Sequence, residues 1–311
     1  LGEIVNRAQD ENDRMINFEI GMGENDPPVR ILFEKSVISL EVTLSNPWAL
    51  YDSLIDGVDP ALVVDHYALG VDWSEIWSGS LTGAAMTVTA KGPGNPYNGP
   101  IIGKPLKDIA ALIKSWNFPE ASLGAAALNC YYNSVDKVQA LGGLKGIDLT
   151  NLGTESRRRK DALIAFQNEI TGKKVAMIGH FPNIEHQFMG RCELTILERN
   201  PQIGDYPDPA IEYLISDQDY LFITGMTLTN KTLPRLLELA IGRVKICIMG
   251  PSVCMAPQFL QMGVDNLSGF CVTDRNLMDE VIRRGDVFAI FDAGVMASVD
   301  RVCPQGMKKD I

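Results

Sequence analysis

The chain is poor in the residues that build metal and phosphate sites. It has only three histidines, and none of its six cysteines forms a CxxC pair. Zinc-ribbon ligation is therefore excluded, because such sites draw four His or Cys donors from short repeated spacings. The cysteines are Cys130, Cys192, Cys247, Cys254, Cys271 and Cys303, several inside apolar runs such as VKICIMG. They read as reduced, mostly buried thiols rather than a disulfide framework. Cationic residues are also scarce: 28 Lys and Arg against 39 Asp and Glu give a formal charge of −11. That balance argues against nucleic acid as a partner, since phosphate-backbone binding draws its affinity from clustered Lys and Arg. No segment approaches the roughly eighteen continuous apolar residues of a membrane helix. The opening LGEIVNRAQDENDRM is too acidic for a signal peptide, so no membrane partner and a cytoplasmic location are expected. GxGxxG and GxSxG are both missing, and there is no internal repeat.

What is present is an ordinary globular composition, 46% apolar and 22% charged, on a chain longer than one core usually organises. Two domains are the expectation, preceded by an N-terminal extension over residues 1–45. From about Lys173 onward, strand-like and helix-like runs alternate: KVAMIGH, IEHQFMG, ELTILER, AIEYLIS, DYLFITGM, TLPRLLELAIG, VKICIMG, APQFLQMG, SGFCVTD and NLMDEVIRRG. Short apolar strands joined through helices require crossover connections, and right-handed crossovers build a parallel sheet covered on both faces. The fold class is therefore α/β, with a Rossmann-like doubly wound sheet of five or six strands over residues 160–311.

Residues 46–150 have a different pattern. A helix at PWALYDSLIDGV precedes two runs that look like antiparallel strands, ALVVDHYALGVDWSEIW and AAMTVTAKG, and two helices follow, KPLKDIAALIKSW and PEASLGAAALNCYYNS. A small α+β layer is expected. The stretch from 135 to 160 reads as a Gly-rich, then basic, linker, with Arg157-Arg158-Arg159-Lys160 a solvated face. Residues 91–103, KGPGNPYNGPIIG, are too dense in Gly, Pro and Asn for regular structure and form a long loop. Within the extension, MINFEIGMG is strand-like, while RILFEKSVISLEVTL is compatible with more than one state.

Candidate chemistry concentrates at the expected carboxyl ends of the strands. The first strand ends in Gly179-His180-Phe181-Pro182, where a dinucleotide-binding domain carries its glycines; without them a pyrophosphate cannot approach the turn, so NAD is not expected. His180 sits at a corner facing the crevice, either as a site residue or satisfied by a backbone carbonyl. Glu198 follows about twenty residues later, where an acid holds a ribose in nucleotide-binding proteins, and Asp205 lies in the Pro-rich loop after it. Beyond the third strand, Thr227 or Asn230 is favoured for ligand contact and Thr232 for capping. Gly250 and Ser252 belong to a turn whose amides could face an anion. In the N-terminal half, Glu120 in the first turn of its helix is sufficiently explained by the helix dipole. Ser122, Asn129 and Asn133 form a polar stripe, either solvated or lining a seam between domains. A mixed metal site of His180, Glu120 and Glu198 is conceivable, with His66 far away in the sequence.

The segments KSWNFPEASLGAAALNCYYN, KVAMIGHFPNIEHQF, ILERNPQIGDYPDPAIEYLI, DYLFITGMTLTNKTLPRLLELA and MGPSVCMAP together resemble the heavy-metal chelation family of poorly defined function, over roughly residues 46 to 300 in order. The resemblance implies an enolase-N-terminal-like domain followed by the Rossmann-like domain, with a small-molecule site between them. It brings in a transition metal or metal chelate as the cofactor class, a pterin-, flavin- or metallophore-like ligand, and a homodimer as one form of assembly. Carried over position by position, it implies Glu120 and Asn129 from the first domain and His180, Glu198, Asp205, Thr227 and Ser252 from the second around the ligand, with Glu120 or His180 as general acid or base; Phe181, Asn230 and Gly250 are further ligand-binding candidates at the strand ends. Hydrolysis or condensation is the expected reaction type. A non-catalytic metal carrier is the alternative, and methyl transfer from S-adenosylmethionine follows only from fold analogy.

Overall fold

The computed structural model describes residues 46–92, 97–188 and 190–301, and the backbone of 15–20 and 29–34. Residues 1–38 and 39–311 form two compact units. In the first, β1 (Met15–Ile20) and β2 (Val29–Glu34) pair antiparallel, with Met15 opposite Glu34. The strand reading of MINFEIGMG holds, and the undecided apolar run begins as a strand; its remainder, 35–45, lies outside the described residues, as does part of the 91–103 loop.

The second unit opens with α1 (Trp48–Asp56) and a meander of β3 (His66–Leu69), β4 (Trp73–Ser78) and β5 (Leu81–Met86). ALVVDHYALGVDWSEIW is thus two strands and not one. The chain reverses at Gly70-Val71-Asp72, where the Gly70 amide donates to the Trp73 carbonyl at 2.9 Å. Apolar residues continue through the turn, which hides the break from the pattern. Next come α2 (Leu106–Ala110), a 3₁₀ turn at Ala111–Lys114, and α3 (Phe118–Tyr132). Helix α3 is buried on nearly all sides. Its Ala- and Gly-rich surface lets backbones approach closely: a Cβ at Gly83 of β5 would lie 1.9 Å from the amide nitrogen of Cys130. The polar stripe is accordingly buried, with Ser122, Asn129 and Asn133 at 0%, 1% and 2% exposure.

The connecting stretch carries α4 (Val135–Ala140), α5 (Thr154–Arg158) and α6 (Ala162–Ala165). Its basic run is not simply a solvated face. Arg157 donates to the Gly294 carbonyl, Arg158 pairs with Asp161 and lies over the Phe291 ring, and the Lys160 carbonyl accepts from Ser268. These contacts hold the run against the large sheet. The boundary expected near 150–160 falls within one compact unit.

That sheet is formed by β6 (Lys174–Ile178), β7 (Glu193–Glu198), the two-residue β8 (Tyr206–Pro207), β9 (Tyr220–Thr224), β10 (Lys245–Met249), β11 (Asn266–Val272) and β12 (Gly294–Asp300). The spatial order is β12-β11-β10-β9-β6-β7-β8, parallel throughout except for β12. The expected five or six strands are therefore seven. The short β8 is disguised by its prolines, and the antiparallel β12 is set off from α12 by a 3₁₀ turn at Ala289–Asp292. The intervening helices are α7 (Ile184–Phe188), α8 (Ile211–Leu214), α9 (Met226–Thr229), α10 (Leu233–Ala240), α11 (Pro257–Met262) and α12 (Arg275–Arg284).

Strand parity divides the core. Ala176, Ile178, Leu221, Ile223, Ile246, Ile248, Leu267, Val295 and Ala297 face one way, into the cluster shared with α1, α3 and α10. Val175, Met177, Phe222, Cys247 and Met249 face the other way, against Phe166, Ile184 and Phe188. Side chains alternate with period two along a strand, so sheets buried on both faces read as continuous apolar runs. A third cluster, with Trp73, Phe270, Met278, Ile282 and Met296, packs α12 between β4 and the β11–β12 end. No helix among the described residues is long and apolar enough to cross a membrane.

Candidate functional site

The strand order reverses between β6 and β9, which places a crevice at their carboxyl ends, the usual ligand position in open α/β sheets. Gly179 ends β6 with φ 101°, and its amide donates to the Leu197 carbonyl at 2.9 Å. A side chain at that φ would be strained, and a Cβ would also sit 3.1 Å from Thr224. The turn therefore stays tight and presents His180. The His180 amide donates to Glu198 Oε2 at 3.0 Å, its Nδ1 faces Asp205 Oδ2 at 3.0 Å, and its Nε2 lies 3.2 Å from Glu185 Oε1. Asp205 reaches this place because β8 pairs with β7, Leu197 opposite Tyr206. Its side chain is 3% exposed and also accepts from the Gln202 amide. Carboxylates, not a backbone carbonyl, satisfy the His180 ring. Such an arrangement fixes the ring's orientation. Phe181 lies alongside, its ring near both Gly179 and Gly250, where φ is 104°.

At the ends of β9 and β10, polar groups fasten the chain to itself. Thr227 Oγ1 donates to the Thr224 carbonyl at 2.7 Å, and Asn230 Oδ1 accepts from the amide and hydroxyl of Thr232. Asn230 thus closes an Asx turn ahead of α10, while the N-cap residue Thr232 makes no side-chain capping bond. The Ser252 hydroxyl accepts from the Met86 amide at 2.8 Å, and Asn129 Nδ2 donates to the carbonyls of Ala84 and Ser252. Asn133 donates to the carbonyls of Val253 and Phe270 and accepts from the Met255 amide. These bonds clamp α3 onto the loop after β10.

Glu120 has other neighbours than His180. Its carboxylate accepts from the Tyr97 amide, Asn117 Nδ2 and Ser115 Oγ, closing the turn that starts α3. The same turn meets Lys231, whose Nζ donates to the carbonyls of Ser115 and Thr229 and lies over the rings of Phe118 and Trp116. Lys231 has φ 70°, and burial lowers its ammonium to about 8. Sequence reading passed over it because one Lys in a Thr- and Asn-rich loop resembles ordinary surface. The conceivable trio of His180, Glu198 and Glu120 is therefore divided: the first two adjoin, and Glu120 belongs to the Ser115 turn.

A second cluster lies elsewhere. His66 of β3, Glu75 of β4 and Asp279 of α12 bring one donor atom each to within 4.8 Å of one another. His66 and Glu75 project from the same face of the meander, since His66 pairs with Trp77 and Ala68 with Glu75. Helix α12 packs on that face. His66 is thus near one acid from the adjoining strand and one from a remote helix. The readable signal was Glu75 itself, a carboxylate inside the apolar strand WSEIW.

The thiols contribute little. Burial pushes Cys130 and Cys271 up to about 12 and holds Cys192, Cys247 and Cys254 above the ordinary thiol range. Since the thiolate is the metal-binding form, these five are poor ligands for soft ions.

A Rossmann-like α/β sheet with a polar crevice at its switch point defines the class. Residues 161–299 match the DUF364 family and residues 51–132 the DUF4213 family, each described as "Putative heavy-metal chelation". The chain is 34% identical to a DUF364 protein of unknown function from Desulfitobacterium hafniense; the similarity covers 81% of this chain and 98% of that one, with TM-score 0.72. The chain belongs to the DUF364 family. A Pyrococcus horikoshii protein from this family, also of unknown function, shares the fold at 20% identity and TM-score 0.63, with the same coverage of both chains. An uncharacterized protein of Methanocaldococcus jannaschii is 26% identical over 200 residues, 62% of this chain and 70% of its own length.

Proposed function

We propose that this protein handles a small metal-chelating metabolite, free or as its metal complex, in the crevice at the carboxyl ends of β6, β7, β9 and β10. The observation that carries the proposal is the His180–Asp205 contact at 3.0 Å beside the switch point. An imidazole oriented by a buried carboxylate supplies a general acid–base group or a metal-ligating nitrogen. Phe181 offers an aromatic face to a planar heterocycle, and the family's description supplies the chelating character of the ligand. Hydrolysis or condensation of the metabolite is the chemistry assigned to His180. Glu120 takes no part in it, because its carboxylate is used to close the Ser115 turn. In this proposal residues 46–150 form the enolase-N-terminal-like layer and residues 160–311 the Rossmann-like one.

The test is calorimetric titration of the full chain with a nickel–histidine complex, with free nickel in parallel. Binding of the complex, weakened at least about tenfold in His180→Ala and less in Asp205→Asn, is the expected result. Equal affinity for the complex in wild type and His180→Ala would remove His180 from the site. Native mass spectrometry of protein purified without chelators identifies any molecule that accompanies it.

A further inference from the structure

The geometry points to a divalent-cation site built by His66, Glu75 and Asp279, separate from the crevice and independent of its ligand. His66 Nε2 lies 3.1 Å from Asp279 Oδ1 and 3.4 Å from Glu75 Oε1. Donor atoms bonded to one tetrahedral zinc at about 2.0–2.1 Å stand about 3.3 Å apart, so these two separations already match donors around one ion. More telling is Glu75. Its side chain is fully buried, and neither carboxylate oxygen has a hydrogen-bond partner among the described residues. Buried carboxylates are paired or bound to metal, because leaving them unsatisfied is costly.

The surroundings fit an ion more closely than a simple ion pair. Asp279 gives Oδ2 to Arg283 Nε at 2.7 Å and turns Oδ1 toward His66, the division of labour of a ligating carboxylate held from behind. The Trp77 and His66 ring centroids are 4.3 Å apart, and Arg275 lies over the Trp77 ring at 5.0 Å. Arg283 is thus a cation placed directly on the cluster, bound to Asp279. His66 and Asp279 are 25% and 22% exposed, which gives an ion and its remaining water ligands a way in from solvent. One imidazole and two carboxylates, without a thiolate, suit borderline first-row dications such as Zn²⁺, Co²⁺ or Mn²⁺ and disfavour soft heavy ions.

The competing explanation is a proton shared between Glu75 and Asp279. Chelator-stripped full-length protein titrated with Co²⁺, followed by visible absorption and Zn²⁺ competition, separates the two. One equivalent of Co²⁺ is expected, with affinity falling about 100-fold or more in Glu75→Gln and in Asp279→Asn, and unchanged in His180→Ala. Glu75→Gln preserves volume, and Asp279→Asn alters a partly exposed position, so the two variants test the site without sharing one risk to folding. No stoichiometric uptake by the wild type, or uptake unaffected by both substitutions, overturns the proposal. Loss of Co²⁺ only in His180→Ala would also overturn it, while supporting metal binding at the crevice; loss confined to the Glu75 and Asp279 variants leaves the crevice proposal to its own titration.

Discussion

Two buried polar assemblies in this protein are built on opposite terms. At the crevice and along α3, the polar side chains find partners within the chain: His180 with Asp205, Glu198 with two backbone amides, Asn133 with three backbone groups. In the His66 cluster, Glu75 reaches full burial with no hydrogen-bond partner for either oxygen among the described residues. A satisfied group is explained by the structure it holds together. An unsatisfied one asks for a partner that is not part of the chain, or else lowers stability. Asn129 stands between these extremes, its Nδ2 shared by two carbonyls and its Oδ1 unmatched.

The contrast is tested most strongly at Asn133. Asn133→Leu would strip three buried backbone groups of their partner and should cost about 3–5 kcal/mol in urea unfolding; a loss below about 1 kcal/mol would show that the clamp between α3 and the loop after β10 is dispensable. Opposite in sign, Glu75→Gln in metal-free protein should raise unfolding stability by about 2–3 kcal/mol, because an unpartnered buried acid gives way to a neutral amide that can donate to Asp279. A destabilised variant would mean that Glu75 is already paired without metal. A smaller loss, about 1–2 kcal/mol, is expected for Asp205→Asn, whose charge-assisted contact with His180 weakens while the Gln202 amide keeps an acceptor.

The smallest effect concerns Lys231. Its folded value of about 8 lies below the ordinary 10.5, so the unfolded chain binds more protons across that window and stability rises with pH from about 8 to 10.5. Partial exposure limits the gain to about 1 kcal/mol. Lys231→Met should flatten that rise in urea unfolding at stepped pH. A slope identical to wild type would assign the alkaline dependence to another group.

Much of the large sheet was legible because its strands are continuous apolar runs ending in glycine, as in KVAMIGH and VKICIMG, and because helices separate them at regular intervals. The two strands that escaped are those without that signature: β8, which consists of Tyr206 and Pro207, and β12, which returns antiparallel after a 3₁₀ turn. Position along the strands singled out His180 and Glu198, which the structure brings together; Asp205 came from the loop after Glu198 and the family resemblance. Strand-end position also selected Ser252, and helical spacing selected Asn129; the structure joins the two to backbone groups of β5 and to each other. Strand-end placement identifies what is near a crevice but not which way a polar group turns.

Composition, periodicity and turn residues by themselves determined the α/β class, the parallel direction of the central strands and the corner on which His180 stands, since all of these follow from local propensity and chain connectivity. The tertiary structure alone decided that Glu120 closes a turn beside Lys231, that the polar stripe of α3 is a buried clamp, and that His66 and Glu75 meet Asp279. His66 and Asp279 are 213 positions apart in the chain. Only the packing of α12 onto the meander closes that distance, and no spacing in a sequence encodes a contact made by the shape of a core.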